Sequence, residues 1–258
     1  MRHYLYIYYL LSILSIKRTT QGQTGAFLFT LGKFVRFAMF FVFIYFLVTQ
    51  SSLLKGYTAS QALIILMTFE LVNSVSGLLF REVYRFRPLV VSGGLDGVLV
   101  KPIHPFMLVL LGGLDILDAF VLAIQVIIIS YLIIGTYSWS GILLFIFLFV
   151  NATIIMAAFH ILALSIGVLT TTVDQIMMIL RDVSESGRFP IEIYKQPFRF
   201  VITFIIPIGV MMTFPAKGLF GMLSIGGVVA PFVVGVLFLA GNMWLWKFAL
   251  RRYQSWGG

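Results

Sequence analysis

The sequence contains no cysteine and few charged residues. The absence of Cys from 258 residues excludes disulfide bonds, thiolate metal sites, iron–sulfur clusters and cysteine nucleophiles. Charged side chains make up only 10% of the chain, against roughly 25% in soluble proteins. Because 60% of the residues are hydrophobic and 26 are Phe, the composition excludes an ordinary soluble enzyme and predicts an integral membrane protein.

Acidic residues are scarce, with nine Asp and Glu against 18 Lys and Arg and a formal net charge of +9. Such an excess can indicate nucleic-acid binding, but in membrane proteins it is typical of cytoplasmic loops. When six spans are threaded from a cytoplasmic N-terminus, most Lys and Arg fall on one side. We therefore expect no nucleic-acid partner, a location in the cell (inner or plasma) membrane, and both termini in the cytoplasm.

Long apolar runs define the spans, since a membrane-crossing helix needs about 20 mostly apolar residues. The predicted spans cover residues 26–50, 58–80, 106–134, 141–169, 172–187 and 223–248. The run at 172–187 is the weakest because it is short and charged. The sequence predicts an all-α, polytopic membrane protein with six transmembrane helices.

The N-terminal apolar run, residues 4–16, is too short to cross a bilayer and is followed by Lys17 and Arg18. Its tyrosines suit the headgroup level, where the ring is buried and the hydroxyl meets water. We expect an uncleaved helix in the membrane interface rather than a signal anchor.

Residues 81–105, REVYRFRPLVVSGGLDGVLVKPIHP, follow the second span on the predicted cytoplasmic side. The Gly-Gly break and the proline stops predict a short helix beneath the membrane. Its apolar side chains, Leu95, Val98, Leu99 and Val100, could fill a groove on a partner or pack on the chain's own bundle. The pattern leaves both interpretations open.

Four charged residues of the weak span share one helix face, at i, i+7, i+8 and i+11: Asp174, Arg181, Asp182 and Glu185. Facing lipid, each would cost about 2.5–3.5 kcal/mol, so they must face protein, water or the interface. We favour a water-lined conduit slightly over a structural ion-pair set in which Arg181 and Glu185 neutralise one another at i,i+4.

Further polar residues have simpler interpretations. Asp115 and Asp118 could pair with arginines at 81, 85 or 87, and we expect Glu70, Asn151 and His160 to be interhelical hydrogen-bond partners. The three histidines lack metal-site spacing, and neither a phosphate-binding G-x-x-x-x-G-K-[ST] loop nor a G-x-S-x-G elbow occurs. We therefore expect no enzyme activity and no metal or cofactor on this chain.

The segments give one transmembrane domain, 1–258. Its parts are an interfacial helix (1–25), spans 1–2 (26–80), a cytoplasmic segment (81–105), spans 3–5 (106–187), an external or re-entrant hairpin (188–222), and span 6 with a tail (223–258).

Two motifs resemble those of ABC-2 type exporter permeases, particularly the short six-span branch. SGGLDGVLVKPIHPF is similar to that family's cytoplasmic S-G-E-L-D segment, and RFPIEIYKQPFRFVITFIIP to its signature before the last span. The residues carrying the second likeness include Arg188, Phe189, Pro190, Pro197, Arg199 and Pro207. Gly94 replaces the usual Glu and Lys195 a common Pro, so no salt bridge from that Glu is carried over.

The resemblance implies an export permease that forms half of a translocation pathway, as a homodimer or with a similar second permease. Separate ATPase subunits would bind ATP and Mg and would contact a cytoplasmic coupling helix of this chain. On this view coupling depends on Arg81, Glu82, Arg85, Leu95, Asp96 and Leu99. The alternative is a proton-coupled secondary transporter that uses the fifth-span carboxylates; a membrane scaffold or a lipid-modifying enzyme is a third reading.

Overall fold

The computed structural model describes residues 2–20, 23–50, 56–170 and 172–254, and this part of the chain is helical throughout, without strands. Its α-helices are α1 Arg2–Thr20, α2 Gln23–Gln50, α3 Ala59–Phe80, α4 Phe86–Val91, α5 Gly94–Leu99, α6 Ile116–Ile133, α7 Trp139–Thr170, α8 Val173–Ser184, α9 Phe198–Phe200, α10 Ile208–Met212, α11 Phe214–Leu219 and α12 Ile225–Arg252. Three short 3₁₀-helices are present: Arg81–Arg85 after α3, Glu185–Arg188 after α8, and Ile191–Ile193. Two π-helical turns are Met107–Leu111 and Val201–Ile205. The predicted all-α class is confirmed.

Four helical stretches among the described residues are long and apolar enough to cross a membrane. They are Ala59–Val91, Ile116–Ile133, Trp139–Thr170 and Ile225–Arg252. At about 1.5 Å per residue, even the shortest, with 18 residues, reaches about 27 Å, close to a bilayer core of about 30 Å. These stretches coincide with the second, third, fourth and last predicted spans.

The first and fifth predicted spans do not coincide with any of these four stretches. Helix α2 has 28 residues and covers the predicted first span, although it is not among those four stretches. Helix α8 has only 12 residues, about 18 Å, and cannot cross a bilayer core by itself. The six-span count therefore stays a prediction.

The predicted third span is interrupted near its start. A π-helical turn ends at Leu111, and Gly112 and Gly113 then take positive φ angles of +49° and +114°, which other residues rarely adopt. Asp115 caps the following helix by accepting a hydrogen bond from the Leu117 amide at 3.0 Å. The continuous helix predicted over 106–134 was wrong in this respect: α6 begins only at Ile116.

Helices α3 and α7 are central, and α6, α11 and α12 pack around them. Polar contacts tie the helices together: the Asn151 side chain donates to the Pro231 carbonyl at 2.9 Å, and Ser76 Oγ lies 3.4 Å from His160 Nε2. The predicted interhelical roles of Asn151 and His160 are confirmed.

Helix α1 lies against the break before α6. Ser12 Oγ accepts a hydrogen bond from the Leu114 amide at 3.2 Å. At Gly113 an added Cβ would stand 2.5 Å from the Leu11 carbonyl oxygen, so only glycine permits this approach. The predicted N-terminal helix is present, and its place in the membrane interface stays a prediction.

Candidate functional site

A cavity of about 500 Å³ with several charged groups in its lining opens between α2, α3, α6 and α8. This volume lies in the range of roughly 300–1,000 Å³ typical of small-molecule sites. Its lining includes four cationic side chains, Lys33, Arg36, Arg81 and Arg181, and three anionic ones, Glu70, Asp118 and Glu185. Because the surrounding helices are apolar, this concentration of charge makes the cavity the candidate functional site.

Helix α3 presents one polar face to the cavity. Glu70, Asn73, Gly77 and Arg81 follow one another at i, i+3, i+7 and i+11, spacings that return to the same side of a helix. Gly77 allows the closest approach, because an added Cβ there would collide with the Asp118 carboxylate of α6. The small residue thus lets α3 and α6 bring their polar faces together.

Helix α6 supplies the neighbouring wall through Asp118, Val121 and Gln125, at i, i+3 and i+7. Asp118 is 2% exposed and Gln125 1% exposed. Neither Asp118 Oδ2 nor Gln125 Oε1 finds a hydrogen-bond donor among the described residues. Both oxygens are enclosed by the helix packing, and Asp118 Oδ2 faces Gly77 of α3.

The cations come from three elements. Lys33 of α2 forms an ion pair with Asp118, and Arg81 lies 3.5 Å from Asp115, which confirms one of the pairings predicted for that carboxylate. Arg36 lies one turn after Lys33 on the same helix. The sequence analysis did not single out Lys33 and Arg36, although their i,i+3 spacing places them on the same face of α2.

The four charges predicted to line a pathway are divided. Arg181 and Glu185 border the cavity. Asp174 instead lies 3.6 Å from Arg87 of α4, and Asp182 lies on the exposed side of α8, 3.3 Å from Arg181. The predicted ion pair between Arg181 and Glu185 is replaced by two others: Arg181 pairs with Asp182, and Glu185 pairs with Arg188. Half of the predicted set reaches the cavity.

The hairpin motif begins with an anchored arginine. The Arg188 guanidinium pairs with Glu185 and lies 4.0 Å from the ring centroid of Phe40 and 5.3 Å from that of Phe69. Such cation–π contacts favour arginine over lysine because its planar group stacks on rings. Phe189 packs beside Phe40 against buried residues of α3, and Pro190 is buried. The start of the hairpin is thereby fixed to α2 and α3.

The remainder of the hairpin is organised by Glu192, which sequence reasoning missed. Its carboxylate accepts hydrogen bonds from Lys217 at 2.7 Å, Tyr57 at 2.9 Å and Arg199 at 3.3 Å. Burial alone would raise the pKa of Glu192. The hydrogen bond and the positive charge of Lys217, together with hydrogen bonds from the backbone and Tyr57, exceed the effect of burial and lower the pKa. Burial and the nearby carboxylate raise the pKa of Tyr57.

The prolines of the motif have separate places. Pro197 is exposed and its peptide bond to Gln196 is cis, whereas Pro207 is buried just before α10. Helices α10 and α11 are short and almost wholly buried, as expected for a re-entrant segment that is sheltered by protein.

The predicted coupling segment folds into a 3₁₀ turn and the short helices α4 and α5, and Gly93 makes the turn between them with φ of +73°. Arg85 donates to Glu82 at 2.9 Å. Leu95 is fully buried in the same core as α7, Val98 is nearly so, and Leu99 is partly buried. Of the two interpretations left open for this segment, the burial of Leu95 favours packing on the chain's own bundle, and a role of Leu95 in coupling stays a prediction. The exposed residues of this segment include Arg85, Asp96, Val100 and Lys101.

Chemically, the cavity can bind a charged or polar molecule. Within the described ranges, no group of three or more His, Cys, Asp or Glu side chains is placed to hold a metal ion.

A family model described as ABC-2 family transporter protein matches residues 34–257, which is most of the chain. No curated protein and no solved structure matches it.

Proposed function

The chain belongs to the ABC-2 family of transporter proteins and is a permease subunit of an ABC transporter; from this premise we propose that it exports its cargo. It forms half of a translocation pathway, as a homodimer or with a second permease, and a separate ATPase subunit that binds ATP and Mg drives it. The observation that carries the proposal is the cluster of charged side chains that lines one open cavity between otherwise apolar helices.

The energetic cost of that cavity supports a transport role. Each charged side chain at the centre of a membrane helix costs about 2.5–3.5 kcal/mol unless it faces water or protein. The seven charged groups that line the cavity are grouped around one space instead of being dispersed. A compartment for polar cargo within the bilayer is the function that explains such grouping.

We assign coupling to the ATPase to residues 81–105. From Ser92 onward, this segment lies outside the long apolar helices. Leu95 and Val98 hold α5 against the bundle, so the docking surface consists of the outward residues Asp96, Val100 and Lys101 with Arg85. We assign a supporting position beneath this surface to the partly buried residues Arg81, Glu82 and Leu99.

A mechanical connection leads from this segment to the cavity. Arg87 of α4 lies 3.6 Å from Asp174 at the start of α8, and α8 carries Arg181 to the cavity wall. A rigid-body push on α4 is therefore transmitted to α8, which moves the cavity lining.

The test is recovery of the ATP-binding cassette subunit with the tagged chain from membranes. Val100→Asp adds a charge on the proposed docking surface, where Val100 is 81% exposed. Ile225→Asp is the matched control, because Ile225 is 87% exposed but lies at the start of α12, on the predicted opposite side of the membrane. We expect Val100→Asp to lose the ATPase subunit and Ile225→Asp to retain it.

Equal recovery of the subunit with both variants would contradict the coupling assignment. Cargo movement in liposomes driven by a pH gradient, without any ATPase subunit, would favour the proton-coupled alternative. That alternative relies on carboxylates of which only Glu185 borders the cavity.

A further inference from the structure

The exposed side of α12 ends in a group of cations. From Ile225 to Trp246 the helix carries no charged residue, and its remaining residues then include Lys247, Arg251 and Arg252, which are all exposed. We call these three cations the α12 basic patch. All the charge of this long apolar helix is therefore collected at one end.

The charge of the α12 basic patch is not neutralised nearby. None of its three cations forms an ion pair with another residue in the described part of the chain. No Asp or Glu occurs among residues 193–258 either. A positive field of this kind attracts an anion that the chain itself does not supply.

Aromatic rings connect the α12 basic patch to the apolar part of the helix. Trp244 and Phe248 stack, with ring centroids 5.7 Å apart and planes inclined by 17°, and the Arg252 guanidinium lies 4.7 Å from the Phe248 centroid. Because these three residues follow one another at i, i+4 and i+8, they form a continuous row along the helix. Farther along α12, Val236 and Leu237 are also exposed, so an apolar surface continues from Trp244.

The length of α12 places the α12 basic patch at the level of the lipid headgroups. Its 28 residues reach about 42 Å, which exceeds a hydrocarbon core of about 30 Å and matches a bilayer with headgroups of about 40–45 Å. Trp244 is 66% exposed, and tryptophan favours the boundary between acyl chains and headgroups. Arg251 lies about 10 Å farther along the helix axis than Trp244, which takes its charge beyond that boundary.

The opposite side of the same turns is fixed to the bundle. Trp246 is buried, and its ring centroid lies 5.1 Å from that of Phe106 and 6.4 Å from that of Phe86 on α4. Ala249, one turn farther along, is fully buried. This packing prevents α12 from rotating its cations inward, so the α12 basic patch stays on the outer surface.

We propose that the end of α12 binds the headgroup of an anionic phospholipid, with the phosphate at the α12 basic patch and the upper acyl chain against Trp244. Guanidinium groups bind phosphate oxygens through paired hydrogen bonds. Each Lys or Arg close to an anionic lipid surface strengthens binding about fivefold, so three give a preference on the order of 100-fold over a zwitterionic lipid.

Two other occupants fit this surface less well. A second copy of the chain that packed here symmetrically would bring the same three cations, and like charges repel. The ATPase subunit lies in water and does not reach a ring at the acyl-chain boundary. An anionic lipid meets both the cations and the apolar row at once.

Fluorescence quenching of the full chain in phosphatidylcholine liposomes tests the proposal. Increasing fractions of the lipid are replaced by phosphatidylglycerol or phosphatidylcholine with brominated acyl chains, and the difference from Trp244→Phe isolates the signal of Trp244. A 100-fold preference predicts half-quenching at about 1% brominated phosphatidylglycerol, against about 50% brominated phosphatidylcholine. Coincident quenching curves for the two lipids would overturn the proposal.

The contribution of the cations is tested with Arg251→Gln. Losing one of three cations should shift half-quenching to about 5% brominated phosphatidylglycerol. Lys195→Gln is the matched control, because Lys195 is also an exposed cation but lies on the hairpin, and we expect it to leave the curve in place. An unshifted curve in Arg251→Gln, or an equal shift in Lys195→Gln, overturns the assignment, and the comparison of the two lipids needs no charge variant.

The other occupants give distinct results. If a second copy covers this surface, neither brominated lipid quenches Trp244. If the ATPase subunit binds the α12 basic patch, the two lipids quench equally and Arg251→Gln lowers recovery of that subunit from membranes. Either result overturns the proposal, which does not depend on export because the liposomes contain no ATPase subunit.

Discussion

Leu95 provides the sharpest test of how the coupling segment is built. Its side chain is fully buried, whereas Val100, on the turn that ends α5, is 81% exposed. Leu95→Ala removes three carbon groups worth about 0.8 kcal/mol each by transfer and leaves a cavity besides, so we expect a loss of about 3 kcal/mol or more. Val100→Ala should change stability by less than about 0.5 kcal/mol.

Hydrogen exchange of the amides in α4 and α5 is the appropriate assay, because a short segment can open without unfolding the whole bundle. A loss of about 3 kcal/mol accelerates exchange through local opening about 100-fold. We expect this acceleration in Leu95→Ala and almost none in Val100→Ala. Similar exchange rates in the two variants would refute the inward packing of Leu95, and its role in contacting the ATPase would then be restored.

Two further predictions concern the hairpin and the cavity. The lowered pKa of Glu192 means that its interactions stabilise the hairpin above the ordinary Glu pKa of 4.5 and are lost as the pH falls through the lower folded value. Hydrogen-exchange protection factors over residues 190–199, which correct for the intrinsic pH dependence of amide exchange, should therefore fall in acid, and Glu192→Gln should remove that fall. Gly77→Val should force Asp118 out of its position and destabilise the packing of α3 against α6, whereas Gly97→Val, where an added Cβ meets nothing within 4 Å, should change stability much less. Thermal unfolding in detergent measures both variants, and equal losses of stability would contradict the close approach of α3 and α6.

The long helices could be predicted because a bilayer imposes a minimum apolar length that is readable in one dimension. The predicted spans 58–80 and 141–169 agree within two residues with α3 and α7. The short helices were harder, since the break at Gly112 depends on backbone angles that permit α1 to approach. An apolar run of about 29 residues contains no such information.

Only part of the candidate site could be predicted from the sequence. Arg181 and Glu185 were found because charges on an apolar run are conspicuous. The partners of those residues depend on which helices are neighbours, so the contributions of Gln125 and Arg36 could not be read from spacing alone. The orientation of Leu95 was undetermined for a similar reason, because a one-sided apolar pattern looks the same whether the chain itself or a partner covers it.

The contact between Ser12 and Leu114 has a consequence for biosynthesis. The two residues are 102 positions apart, so α1 leaves the ribosome before its docking site by that length of chain. At roughly 5–20 residues per second, α1 waits about 5 to 20 seconds before residues 113–114 are made. Its exposed Tyr4, Tyr6 and Tyr9 suit a stay on the membrane surface during that interval, and we expect the lipid headgroups to bind α1 until its docking site is made.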